Sequence, residues 1–249
     1  MKKIVCFGEI MMRLNPEGCL RFIQDEYNWK QIFNGADWFH FTGITPAISE
    51  SAAKACLDAC KYANAAGISI SCDLNYRKNL WSRQSARIVM TELMQYVDVC
   101  IANEEDAYDV FGISVKDTDV TTGQISHEGY IKVAQEIQER FGCEKIAITL
   151  RGSISANDNN WAAMLYEKGV AYFSKNYLIH IVDRVGGGDS FGGGLIYCLI
   201  NEKDPQTTIE FATAASCLKQ TIEYDFNHVS IAEVENLMLG NASGRVIRQ

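Results

Sequence analysis

Two hydrophobic periodicities alternate along this chain as far as Leu150, and that alternation limits the available folds more than any other feature. Short runs rich in β-branched and aromatic residues, Ile4–Phe7, Trp38–Thr42, Ile68–Cys72, Val97–Ala102 and Lys145–Leu150, have the length and composition of strands. Between them Ser49–Ala66, Gln84–Tyr96 and Gly129–Phe141 place apolar residues at i, i+3 and i+4, which predicts helices, and Gly67 stands where the first would end. Strands alternating with helices predict an α/β fold with a mostly parallel sheet. After Leu150 a polar, turn-rich stretch, Ser155–Asn160, leads to Ala162–Tyr166 and Val170–Ser174, which predicts a hairpin-like excursion. Helical patterns then run from the glycines after Val185 through about Ile200, from Thr207 to about Thr221 and from Ile231 to Leu239. With no internal repeat and no low-complexity linker, 1–249 reads as one large α/β domain rather than two small ones.

Composition removes several function classes. The chain has 249 residues, 47% of them hydrophobic, enough to bury a sizeable core. Lys and Arg number 23 against 31 Asp and Glu, a net charge of −8 with no long basic run, so no nucleic-acid partner is expected, although a local basic pocket for a small anion is compatible with it. The nine cysteines include no Cys-x-x-Cys pair and lie mostly in apolar runs, the pattern of reduced core thiols in a cytoplasmic protein. Cys56 and Cys60 share a helix face, but without histidine at ligand spacing they read as core. The apolar run at Ile4–Phe7 is too short for a signal peptide, and no stretch has the length of a membrane span.

The segment Asp183-Arg184-Val185-Gly186-Gly187-Gly188-Asp189-Ser190-Phe191 carries the strongest chemical signal. Consecutive glycines permit positive φ and bring bare N–H groups close to an anion, and the helical run that follows puts those donors at a helix N-terminus. Asp189 then stands where a general base for phosphoryl transfer is needed. A purely structural account also fits: a tight strand-to-helix turn, Asp189 as N-cap, and glycines that let helices pack closely.

Ligands of open α/β sheets collect at the carboxyl ends of parallel strands. The third predicted strand ends in Asp73-Leu74-Asn75-Tyr76-Arg77-Lys78, where Arg77 either clamps a carboxylate or phosphate or pairs with Asp73. The fourth ends in Asn103-Glu104-Glu105-Asp106, which is either a helix cap or, through Asn103 and Asp106, a support for waters around a nucleotide-bound Mg²⁺. The fifth ends in Arg151-Gly152-Ser153, where the glycine has room for a base or ribose. None of His40, His127, His180 and His228 forms a ligand pair by spacing, and neither a Gly-x-Ser-x-Gly elbow nor a Walker loop occurs.

In order along the chain, Gly8-Glu9-Ile10, Arg13-Leu14-Asn15-Pro16, Trp38-Phe39-His40-Phe41-Thr42-Gly43-Ile44, Cys72 to Lys78, Asn103 to Ala107, Asp183 to Asp189 and Asp225-Phe226-Asn227 resemble the ribokinase-like (PfkB) carbohydrate kinases. Asp73-Leu74-Asn75-Tyr76-Arg77 looks like the branch that acts on 2-keto-3-deoxygluconate. The resemblance covers most of the chain and implies a three-layer ribokinase-like fold and ATP-dependent phosphorylation of a sugar acid. It implies that Asp189 is the base for the acceptor hydroxyl and that the N–H groups of Gly186, Gly187 and Gly188 form the anion hole. Asn103 and Asp106 would serve Mg²⁺ through water, Asp106 standing where many relatives have Glu. Arg77 would face the sugar-acid carboxylate and the phosphates, Asn75 with Arg151 and Gly152 would line the nucleotide site, and Asp225 would contact the sugar acid.

The chain departs from the family in one place. Leu20–Gln24 looks like the family's opening, whereas Asp25–Phe33 resembles a much later segment, which implies an internal deletion at about 24–28. The block usual there, a Gly-Gly motif, an Asn-containing helix and a small N-terminal β lid with adjoining strands, supplies much of the sugar pocket and, in many relatives, the dimer contact. Its loss would leave oligomeric state open, weaken closure over the site and bare apolar surface. A kinase for another sugar or nucleoside, or a nucleotide-binding remnant without catalysis, stays compatible with these residues.

Overall fold

The computed structural model describes residues 2–7, 27–114, 127–155 and 157–240. The chain divides into two compact units, Met1–Ser114 with Glu136–Lys145, and Val115–Gln135 with Ile146–Gln249. Gly8 to Pro16 and most of the expected deletion point lie outside the described residues.

The first unit is built on four parallel strands, β1 (Ile4–Phe7), β2 (Trp38–Thr42), β3 (Ser69–Asp73) and β4 (Val99–Asn103), hydrogen-bonded in that order. Parallel strands covered on both faces read as continuous apolar runs rather than alternating ones. Phe39, Phe41, Ile70, Cys72 and Cys100 are accordingly all buried. The described helices of this unit are α1 (Trp29–Ile32), α2 (Ile44–Ala47), α3 (Glu50–Ala65), α4 (Arg83–Leu93, continued by a 3₁₀ turn Met94–Tyr96) and α5 (Glu104–Phe111). Helix α3 starts where Ser49 Oγ accepts from Ala52 N at 3.1 Å and ends at Gly67, whose φ of +69° a side chain would resist. Its inner stripe is Ala55, Cys56, Ala59, Cys60 and Ala63, so the two thiols are core, as expected. Tyr27 stacks on Trp29 with ring centroids 4.9 Å apart, and Asn28 Oδ1 caps α1 by accepting from Gln31 N at 3.1 Å.

Helix α6 (His127–Phe141) contributes residues to both units. The second unit holds β5 (Lys145–Ser153, all but its first residue), β6 (Asp158–Glu167), β7 (Val170–Phe173) and β8 (Tyr177–His180), with α7 (Gly187–Ile200), α8 (Pro205–Gln220) and α9 (Ile231–Met238). Strands β6 and β7 form the predicted hairpin around Lys168 and Gly169, whose φ values of +52° and +80° suit a tight two-residue turn. Asp204 caps α8 ahead of Pro205, and Ser230 with Glu233 forms a capping box on α9. Among the described residues no helix is long and apolar enough to cross a membrane.

β1 and β2 have the expected bounds, whereas the next three expected strands extend further toward their carboxyl ends. β3 and β4 end on Asp73 and Asn103, and β5 runs on through Ser153, so Arg151 and Gly152 are ladder residues rather than a terminal turn. Part of the predicted turn 155–160 is already strand, because Asp158 to Trp161 pair antiparallel with β8. Strand β8 had no sequence expectation: it is four residues long and exposes Leu178 at 72%, so nothing in its periodicity marks a buried face.

Two features of the first unit make measurable demands. Gly43 follows β2, and an added Cβ would lie 2.1 Å from the Leu74 carbonyl oxygen, inside any tolerable contact. Gly43→Ala should therefore cost about 3 kcal/mol or more, or prevent folding, in a denaturant titration. Trp38 Nε1 and His40 Nδ1 both meet Ser71 Oγ at 2.8 Å, and burial pushes the His40 imidazole down from its ordinary 6.5 to about 4. Above pH 6.5 the ring is neutral in folded and unfolded chains alike, and below it the unfolded chain takes the proton first. Stability should fall between pH 6.5 and about 4, by about 3 kcal/mol beyond the fall in His40→Gln, as read by urea unfolding across that range.

Candidate active site

In the second unit the chain enters α7 through Asp183, whose Oδ1 accepts from Val185 N at 2.9 Å and sets the turn. Only Gly186 of the three glycines has positive φ, +78°, and it is the N-cap of α7. Asp189 is thus not the cap but the third helical residue, with its side chain exposed. An α-helix leaves its first N–H groups without intrahelical partners. Gly187 N reaches the Arg184 carbonyl at 3.3 Å and Ser190 N bonds Gly186 O at 2.9 Å, so the backbone donors left at this turn are those of Gly186, Gly188 and Asp189. Gly188 has open space where a Cβ would be, which lets a ligand approach the backbone. The helix dipole adds positive potential at the same point.

Gly186, Asp189, Ser190, Asp225 and Asn227 line a cleft of about 410 Å³. Asn227 Nδ2 donates to Ser190 Oγ at 3.0 Å, which ties the segment carrying Asp225 to α7. A Cβ on Gly186 would lie 2.9 Å from the Asp225 carbonyl oxygen, so that segment and the turn touch. The structure thereby brings together Gly186, Asp189 and Asp225. Arg151 and Gly152 do not line this cleft: the Arg151 guanidinium lies 5.2 Å over the Trp161 ring, and Gly152 packs on Asn160.

In the first unit Asn75, Arg77, Asn103 and Asp106 sit at the carboxyl ends of β3 and β4. Asn75 holds φ +37°, a backbone state that Asn tolerates better than most residues, with its amide 3.4 Å from Thr42 Oγ1. Asn103 caps α5: its Oδ1 accepts from Asp106 N at 2.8 Å, and its Nδ2 donates to Asp106 Oδ2 at 2.8 Å. Asp106 Oδ1 accepts from Tyr76 N at 3.0 Å, so the buried carboxylate joins the two strand ends. Capping accounts for this geometry, and direct ligation of a metal would compete with it. Among the described residues no group of three His, Cys, Asp or Glu side chains is placed to hold a metal. Arg77, Lys78, Arg83, Glu105, Asp106 and Asp109 line a cleft of about 610 Å³. Arg83 is held there by Asp109 at 2.6 Å, while Arg77 is exposed.

The described cysteines are unpaired thiols, all buried except Cys6. Burial pushes Cys72 and Cys100 well up and Cys143 and Cys198 up to about 12, which keeps them protonated and poor nucleophiles. The turn also presents the Asp189 N–H, which the resemblance did not include in the anion hole. Sequence reasoning missed Lys219, whose spacing from Ala212 and Ala215 places it on the buried side of α8. That periodicity was available in the sequence.

The pfkB family carbohydrate kinase model matches residues 8–223. The chain is 48% identical to the crystal structure of 2-dehydro-3-deoxygluconokinase from Thermotoga maritima, with a TM-score of 0.82 over 88% of this chain and 65% of that one. It is 30% identical over 213 residues to 2-dehydro-3-deoxygalactonokinase of Haloferax volcanii, covering 86% of this chain and 60% of the relative. It is 26% identical over 189 residues to 2-dehydro-3-deoxygluconokinase of Thermoproteus tenax, covering 75% of this chain and 50% of the relative. The chain therefore spans half to two-thirds of the length of these relatives. The fold is a mixed α/β, ribokinase-like one with a mostly parallel sheet, as the motifs implied. On its motifs, its fold and a match along most of its length, the chain belongs to the pfkB family of carbohydrate kinases.

Proposed function

We propose that this chain is an ATP- and Mg²⁺-dependent sugar-acid kinase that converts 2-keto-3-deoxygluconate to its 6-phosphate. The observation that carries the reading is the start of α7, where free N–H donors, a helix dipole and the exposed Asp189 carboxylate meet in one cleft. The substrate class rests on the 48% identity to the Thermotoga 2-dehydro-3-deoxygluconokinase.

The residues fit this chemistry. ATP supplies the transferable phosphoryl group, and Mg²⁺ offsets charge on its phosphates. Phosphoryl transfer through a loose transition state calls on the protein mainly for alignment and charge stabilisation. The N–H groups of Gly188 and Asp189, on the turn made by Gly186 and Gly187, hold the oxygens on which charge builds. Asp189 accepts the proton of the acceptor hydroxyl, and Asp225 orients the sugar acid. In the first unit Arg77 answers the sugar-acid carboxylate and the phosphates. Asn103 and Asp106, which bond each other, stand beside the phosphates to order waters around the ion rather than to ligate it. Asn75, Arg151 and Gly152 serve the nucleotide.

A second reading, nucleotide binding without catalysis, draws on the part of the relatives that the match does not reach: it spans 60% and 65% of two of them. An internal block missing at about 24–28 would take the lid with it, and an unshielded anion hole loses strength to water. A coupled ATP-consumption assay of the 249-residue chain with 2-keto-3-deoxygluconate and Mg²⁺ separates the two. Turnover that Asp189→Asn lowers by about 10²- to 10⁴-fold is the expected result. ATP binding without sugar-dependent turnover in a folded, monodisperse sample selects the second reading, and turnover with ribose, fructose or adenosine instead would replace the substrate.

A further inference from the structure

Lys219 is fully buried, at 0% exposure, and its Nζ has no hydrogen-bond partner. An unpaired ammonium in a protein interior is expensive and persists where something compensates it. Its surroundings name the compensation. Lys219 stands at the C-terminal end of α8, and its Cε would be 3.1 Å from a Cβ on Gly186, the residue that opens the anion-binding turn. The Asp225 carbonyl oxygen is 2.9 Å from the same point. The ammonium stem therefore lies directly behind the turn whose front presents the Gly188 and Asp189 N–H groups.

We infer that Lys219 is a positioning residue whose buried ammonium is a fixed counter-charge for a phosphate group held at the Gly186–Asp189 turn. The inference rests on the anion-binding part of the proposed function, not on turnover. The chain carries a net charge of −8, and Asp183, Asp189 and Asp225 flank the turn, so an anion arriving there meets carboxylates first. Backbone donors alone offer partial charges. A full positive charge set behind them offsets the carboxylates, and because protein covers it, salt screens it far less than it screens an exposed arginine. Lys219 makes no contact with the ligand in this arrangement, and its effect passes through the turn.

The test compares wild type with Lys219→Met, which keeps the length and apolar stem, and with Lys219→Gln in case the first variant fails to fold. ATP with Mg²⁺, inorganic phosphate and adenosine are titrated calorimetrically at low and high salt, and ligand-free stability is measured by urea unfolding. The expected result is weakening of ATP binding by about 10-fold, at both salt levels, with adenosine binding unchanged and ligand-free stability equal or higher, as removal of an unpaired buried charge predicts. If phosphate weakens in parallel with ATP, the turn recognises any phosphate; if ATP alone weakens, it recognises the nucleotide's. Unchanged ATP and phosphate affinity with lower ligand-free stability, equal losses for adenosine, or no anion binding by wild type would each overturn the inference. Lys219-dependent ATP binding without sugar-acid turnover would support it while removing the kinase reading.

Discussion

The close approach of α7 to α8 is the constraint on which the turn at Gly186–Asp189 depends. A Cβ on Gly187 would lie 3.0 Å from Gln220 Cγ, and one on Gly194 would lie 3.1 Å from Ala212 Cα, so neither position has room for a side chain without displacement. Ser216 Oγ donates to the Gly187 carbonyl at 2.8 Å, and the Gln220 carbonyl accepts from Val182 N at 2.9 Å and Asp183 N at 3.2 Å. Helix α8 thus holds the turn from behind at three points. Donors fixed in this way need little reorganisation when charge builds in front of them, which is how an anion hole contributes most.

Much of this was legible in the sequence, and the illegible parts have physical causes. The run Gly186-Gly187-Gly188 announces a turn before a helix, but glycine's freedom does not say which member uses it. Only Gly186 is left-handed, while Gly187 is glycine because Gln220 leaves no room and Gly188 faces open space. Asn103-Glu104-Glu105-Asp106 left capping and metal support both open, since both use a carboxylate near a helix start. The structure shows the cap outright. The parallel strands were legible because burial on both faces leaves continuous apolar runs. Strand β8 was not, because a short edge strand exposing Leu178 has no such pattern. Arg151 read as a loop residue because the polar residues after Leu150 hide a strand that continues through Ser153.

Net charge is a poor guide to what binds here. At −8 the chain should repel phosphates at long range, yet exposed carboxylates more than a Debye length away, about 8–10 Å in ordinary salt, contribute little at the turn. What decides is the local set: the dipole of α7, the free N–H donors and the ammonium of Lys219 on one side, and Asp183, Asp189 and Asp225 on the other. The base role proposed for Asp189 would need that balance, since it sets a carboxylate beside a phosphate of like charge.

The balance also separates donors at the surface from charge beneath it. A lid strengthens an anion hole by excluding water, so donors at an open surface are the part of the site most weakened by its loss. Charges beneath the surface are insulated by the protein itself and keep their effect whether or not the front is covered. Lys219, fully buried behind Gly186, is a charge of the second kind. The phosphate recognition proposed at the turn should therefore depend less on a cover than recognition by surface groups does. It is built into the packing of α7 on α8.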